Sequence, residues 1–225
     1  HAEDGLLDNI PSLVGSEMCI RDSLWHARRQ RLLDRLQPGA SIGLDGVFDM
    51  QAYYANGGFV FSHRNMRFRT EITERPVVSP DDGNIVPLAD IPFDQVQAYD
   101  RICFPTTRPQ FLIGWIAQPD ALALGYQRDG KLHGYGVVRR CGEGCKIGPL
   151  FADDAQVAEA LYARLAGFAL GGPLFLDAPE NNPAAMAFVA RHEMVEVFGC
   201  ARMYLGQAPD VAHERIFGVT TFELG

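Results

Sequence analysis

The sequence predicts an α/β (α+β) fold, a mixed and mostly antiparallel sheet flanked by helices. Two observations predict it. From residue 84 onward the apolar runs follow the order β-α-α-β-β-β-α-β-α-β-β, so strands joined by a hairpin give way to two strand-to-helix crossovers. The stretch from Leu24 to Phe68 repeats the last part of that order, which gives one partial and one complete copy of a single arrangement.

Taken in order, Leu24 to Gln37 is predicted helical: Trp25, Leu32, Leu33 and Leu36 fall near one face, and Arg28, Arg29, Arg31 and Arg35 cover the rest. Pro38-Gly39 stops it. Ser41 to Val47 reads as a short buried strand and Asp49 to Asn56 as a helix ended by Gly57-Gly58. Strand begins at Phe59-Val60-Phe61 and resumes, after His63, at Asn65 to Phe68. Residues 71–83 then turn polar, with Pro76, Pro80, Asp81, Asp82 and Gly83, and are expected to link a segment 24–70 to a self-contained domain 84–225.

Within that domain Asn84 to Ala89 opens as a strand, and helices follow at Pro92 to Cys103 and Arg108 to Gln118. Ala121 to Arg128 and Lys131 to Arg140 are strands joined by the turn Asp129-Gly130. Cys145 to Phe151 is the next strand. Asp153 precedes a helical run to Phe168 in which Val157, Ala160, Leu161 and Leu165 share a face. Leu174 to Asp177 is a buried strand, Pro183 to His192 a helix, and Val195 to Tyr204 the last strands. The ending, Phe217 to Gly225, reads as ordered and is expected to return to the first copy. Residues 1–23 carry neither helical nor strand periodicity and no signal-peptide pattern, and PSLVGSEMCIRDS resembles assembly read-through, so they are expected to lie outside the native fold.

Composition narrows the function classes. A formal charge of −8 opposes non-specific binding to nucleic acid, which needs clustered Lys and Arg. No apolar run approaches the roughly 20 residues of a membrane span. Five cysteines are few and odd in number, so a disulfide framework is not expected and a reducing cytoplasm fits better. Cys141 and Cys145 flank a Gly-Glu-Gly turn without a second ligand pair, and no metal is expected.

The element order, together with Gly43-Leu44-Asp45-Gly46-Val47 leading into Tyr54-Ala55-Asn56-Gly57-Gly58-Phe59, resembles the GNAT superfamily of N-acetyltransferases in a tandem-domain form cut short at the N-terminus. The resemblance implies that acetyl-CoA, the acyl donor, lies between the fourth and fifth strands of a copy, with its pyrophosphate on a Gly-rich helix N-terminus. Tyr54 and Gly58-Phe59 match the family's strand-helix motif, whereas Val47 stands in the usual Asn position. Val47, Gln51 and Tyr54 are thereby placed beside the cofactor, with Tyr54 the acid that protonates the departing thiolate.

In the complete copy Asp153-Asp154 replace the glycines of the phosphate loop, and two carboxylates there would repel a pyrophosphate. Asn182 and Ala185 match the second motif, but Val189 occupies the tyrosine position and Glu193-Met194 replace Gly-Phe. This copy is expected to be a scaffold, and the chain, without the first copy's phosphate loop, is expected to be inactive. The acceptor, an amine of a small molecule or peptide, is expected to meet Phe104, Arg108 and Trp115, with Arg108 available to pair a carboxylate. His63 reads as filler. The alternative to an enzyme is a catalytically silent GNAT-like module that binds a ligand or partner.

Overall fold

Nine strands form one sheet in the order β1-β8-β2-β7-β6-β5-β4-β3, with β9 paired to β6. The structure is a computed structural model that describes residues 27–37, 39–77 and 83–223. The expectations for residues 1–23, for the helix start at Leu24 and Trp25, and for Pro80, Asp81 and Asp82 of the linker lie outside the described residues. A helix is described over residues 27–33 (α1), and it belongs to a unit separate from residues 41–225.

The strands are β1 (Ile42–Val47), β2 (Val60–Ile72), β3 (Ile85–Pro87), β4 (Ala121–Arg128), β5 (Lys131–Arg140), β6 (Cys145–Ala152), β7 (Gly172–Pro179), β8 (Val195–Leu205) and β9 (Ile216–Gly218). The helices are α2 (Gln51–Asn56), α3 (Phe93–Cys103), α4 (Pro109–Ile116), α5 (Ala155–Ala166) and α6 (Pro183–Arg191). Among the described residues only β6 and β7 run parallel and the other pairings are antiparallel, so the expected mixed sheet is present.

One face of the sheet carries α5 and α6. Val157, Ala158, Leu161, Tyr162, Leu165 and Ala166 of α5 are buried against the sheet, at the spacing that puts a helix stripe on one side. Asp154 caps this helix, its carboxylate accepting from the Val157 amide at 2.9 Å, which stabilises the start by about 1 kcal/mol. The other face is covered by α3, where Val96, Tyr99 and Cys103 pack with Tyr135, Phe151, Ile216 and Phe222.

The two strand-helix-strand units, β1-α2-β2 and β7-α6-β8, do not close on themselves. They exchange strands, since β8 lies between β1 and β2 and β2 lies between β8 and β7. Each exchange carries an ion pair in register whose carboxylate is buried. Asp45 faces Arg202 across β1 and β8, and Asp177 faces Arg67 across β2 and β7. The helices also end alike, with Gly58 at φ 90° and Glu193 at φ 49° in the left-handed region.

This arrangement moves the expected division. Residues 41–225 form one compact unit, so 71–83 do not separate two compact bodies; β2 runs on to Ile72 and holds β7 and β8 along its length. The interrupted strand expected around His63 is a single strand with a bulge between Phe61 and His63. The chain end also departs from expectation, because β9 pairs with β6 of the second unit instead of returning to β1 or β2.

Asp177 is fully buried and holds both Arg67, through two bonds of 2.7 and 2.9 Å, and Lys146. Removing it leaves two cations without a partner. Asp177→Ala is expected to lower stability by about 3–5 kcal/mol in urea denaturation, and the added change Lys146→Met should recover part of the loss. A loss below about 1 kcal/mol in the single variant would show that the two cations find water.

Candidate active site

Val47 ends β1, and Gln51 and Tyr54 lie on α2, which follows after the turn Phe48–Met50. The ring of Tyr54 lies on the β1 backbone: a Cβ at Gly46 would sit 2.3 Å from its Cε2, so only glycine admits the ring there. The Tyr53 ring meets it edge-on at 6.0 Å. The Phe59 amide donates to the Tyr54 carbonyl at 3.1 Å, which makes the Gly58-Phe59 pair the stop of α2 and buries Phe59. Val47 is 43% exposed at the strand end. Among the described residues the outer edge of β1 pairs with no strand.

The corresponding place in the second unit is filled. β6 and β7 pair in parallel only through Cys145–Ile147 and Leu174–Leu176, and beyond that point they separate. Into the opening comes the C-terminal segment: Leu150 faces Gly218, Phe151 faces Ile216, and the Val219 amide donates to the Asp177 carbonyl at 2.8 Å. Asn182, which matches the family's Asn, caps α6 and spends its Nδ2 on the Ile216 carbonyl at 2.9 Å and the Glu214 carbonyl at 3.2 Å. Contact is tight, since a Cβ at Gly148 would lie 2.3 Å from the Thr220 carbonyl oxygen.

The phosphate end of that opening is closed as well. Asp154 covers the α5 amide of Val157, and Asp153 is held by the Tyr99 hydroxyl at 2.8 Å, His133 at 2.8 Å and Arg215 at 3.3 Å. Both carboxylates thus have internal partners. Val189 is buried and offers no hydroxyl.

The three residues expected to meet the acceptor are near one another but engaged internally. The Arg108 guanidinium makes two bonds to Asp100, at 2.9 and 2.7 Å, donates to Thr220 Oγ1 at 3.0 Å and lies 3.7 Å over the Phe104 ring. Asp100 is buried and also accepts from Tyr135 at 2.5 Å. The carboxylate of Arg108 is thus an internal one, and the pair anchors the C-terminal segment. Trp115 stacks on Phe111 and donates to the Gly148 carbonyl at 2.8 Å.

A polar cluster that the sequence reading passed over lies on the face of β1 away from Tyr54. Strand alternation sends Gly46 to one side and Gly43 and Asp45 to the other; a Cβ at Gly43 would meet Arg202 and Tyr204. Asp45 accepts from Arg202 at 2.6 Å and from Asn65 Nδ2 at 2.8 Å, and burial raises its pKa despite both donors. His63, buried at 6% exposure, faces His213 edge-on at 5.5 Å. Burial, then His213 and Arg202, push the His63 pKa down to about 4, and burial lowers that of His213. No motif spacing marks these residues, because β2, β8 and the segment before β9 bring them together from distant parts of the chain.

Two measurements follow from this geometry. Unfolded His63 titrates near 6.5 and folded His63 near 4. In that window the unfolded chain binds the extra proton, so this contribution to stability is whole above the upper value and is lost as pH falls toward the lower. The urea midpoint should drop between pH 7 and pH 5, and the drop should be smaller in His63→Gln; equal drops would show that His63 is not held neutral. In hydrogen exchange, the Val219 amide should exchange as slowly as those of β6 and stay protected at saturating CoA. Loss of protection on adding CoA would show that the segment yields to the cofactor.

Comparison with known proteins agrees with the fold. Residues 96–218, more than half of the chain, match the acetyltransferase (GNAT) domain family. Holothin acyltransferase from Pseudoalteromonas sp. (strain SANK 73390) is 26% identical over 186 residues; the match covers 82% of this chain and 62% of that relative, so the chain spans less than two thirds of its length. A solved acetyltransferase candidate from Pyrococcus horikoshii superposes with a TM-score of 0.70 at 25% identity, covering 98% of this chain and 68% of the other. A GCN5-related N-acetyltransferase from Sphaerobacter thermophilus superposes at 0.59 with 13% identity, covering 92% and 72%, which shows likeness of fold alone. With the strand order, the separation of β6 from β7 and the matched domain in agreement, this chain belongs to the GNAT acetyltransferase family.

Proposed function

We propose that the chain is the C-terminal part of a tandem GNAT enzyme that transfers an acetyl group from acetyl-CoA to an amine, with chemistry at the β1 corner and the second unit as scaffold. The observation that carries this reading is the contrast between the two units. The opening beside β7 is occupied by β9 and carboxylates, while the edge of β1 has no strand partner among the described residues and carries Tyr54 on a glycine seat. The exchanged strands and the paired Asp-Arg bridges support an internal duplication. The relative named for acylating holothin supports acyl transfer, and acetyl and amine are taken from the family's usual donor and acceptor.

In this reading Val47 and Gln51 border the thioester arm and Tyr54 holds the proton at its phenol oxygen. A phenol, ordinarily titrating near ~10, is protonated at neutral pH and can act as a general acid when held within hydrogen-bond reach. A second reading, a silent binding module, is favoured by the closed opening beside β7 and is distinguished by turnover.

The test uses the enzyme with its natural N-terminal portion. Tyr54→Phe should lower thiol release from acetyl-CoA by about 10²- to 10⁴-fold, while the melting transition changes by the equivalent of about 1 kcal/mol or less. Gly46→Ala, whose methyl would strike the ring, should reduce turnover without removing the hydroxyl. Turnover within about threefold of the parent in a stable Tyr54→Phe variant removes Tyr54 from the mechanism. No turnover in the parent with any amine leaves the binding-module reading.

A further inference from the structure

A cavity of 40 Å³ lies between β2, β8, the end of α3 and the segment before β9, lined by His63, Asn65, Phe104, Arg202, Tyr204 and His213 among others. A buried water needs only roughly 10–15 Å³ of such volume, so this one has room for more than a single water. Two polar atoms in its wall are buried without a hydrogen-bond partner: Asn65 Oδ1, on a residue 2% exposed, and His213 Nδ1. A native structure rarely leaves two such atoms unsatisfied in one place.

The chemistry of the wall selects the ligand. Asn65 spends its Nδ2 on Asp45, so toward the cavity it is an acceptor only. A neutral His213 whose proton sits on Nε2 offers a second acceptor at Nδ1. Asp45 and Arg202 neutralise one another, and Ser62 Oγ lies 2.9 Å from His63 Nδ1. The two unpartnered atoms are thus acceptors, in a wall without net charge that the ring of Phe104 and the hydroxyl of Tyr204 complete. The complement is a small head with two N–H donors and no charge.

We propose that this cavity seats the uncharged primary amino group of the acceptor, bound by Asn65 Oδ1 and His213 Nδ1. The inference rests on the acyl-transfer reading and deepens it, because an amine attacks a thioester only in its neutral form. The groups facing the imidazoles, Arg202 on β8, Glu180 at the end of β7 and Asp210 and Glu214 flanking His213, leave both rings neutral at pH 7, since burial outweighs the carboxylates. The cavity wall is joined to β1 through Asp45, which accepts from both Asn65 and Arg202.

The test needs no turnover. The imidazole ¹⁵N signals of His63 and His213 are followed while methoxyamine, an amine uncharged at neutral pH, is added to the full chain, with methylammonium as the charged comparison. Saturable shifts at both rings are expected with methoxyamine alone. Asn65→Ser and His213→Phe should each weaken the apparent Kd by about tenfold or more; His213 is half-buried, so at least this variant should fold. Equal response to the charged amine, shifts without saturation, or affinity unchanged in a folded variant would overturn the site and leave a water-filled cavity. Saturable binding in an enzyme without transferase activity would retain the site and sink the acyl-transfer reading; transferase activity without any shift would do the reverse.

Discussion

The charge on Asp177 sets much of the rest of the structure. A carboxylate with no solvent exposure cannot stand alone at neutral pH, and here it draws Arg67 from β2 and Lys146 from β6 to the same point on β7. Its backbone carbonyl meanwhile takes the Val219 amide. Four pieces of chain from distant parts of the sequence therefore meet at one residue, two of them through ionic bonds that are strong because the site is dry. Two cations on one anion leave an excess of positive charge, and the Phe222 ring lies under both, 4.7 Å from Arg67 and 5.4 Å from Lys146. The C-terminal segment is thus held by backbone, by ring and by the Arg108–Thr220 contact.

That segment resolves a problem the fold creates. Two parallel strands that separate within a core expose backbone amides and carbonyls on both inner edges, and each must be met. The resemblance drawn from the sequence puts the acyl donor along those edges. In the second unit β9 meets them instead, supported by Asn182, whose side chain reaches the Ile216 and Glu214 carbonyls. The asparagine thus spends its side-chain amide on the protein's own backbone. Asp153 and Asp154 have internal roles there: Asp154 caps α5, and Asp153 binds Tyr99, His133 and Arg215.

Most of the elements were legible in the sequence because their periods are clean. The stripe of α5 and the turn at Asp129-Gly130 are local features, and local physics determines them. Strand partners were not legible. The polar run after Thr70 has the composition of a linker, yet β2 reaches Ile72 because its edges are already taken by β7 and β8, a fact that depends on residues more than 100 positions away. The last strand failed for the same reason: Ile216-Phe217-Gly218 shows strand character, but nothing local says which edge it will find. Arg108 looked available because a lone arginine beside aromatics reads as a binding group, and only the fold brings Asp100 and Thr220 onto it.

The polar cluster shows the same limit in a sharper form. His63, Asn65, Asp45, Arg202 and His213 come from four stretches of chain, and none carries a motif. His63 read as filler because a single histidine on a strand usually is. What distinguishes it is the exchange of strands: by placing β8 between β1 and β2, the fold puts Arg202 between Asp45 and the His63–Asn65 stretch, and the approach to β9 delivers His213 above them. In the other half of the exchange, the bridge between Arg67 and Asp177 is overlain by Phe198 and Phe222 and takes Lys146 as a third charge. Similar bridges thus acquire different surroundings, apolar rings and a filled opening on one side, imidazoles and an unfilled cavity on the other. The two bridges differ in what packs on them, while each joins strands from both units.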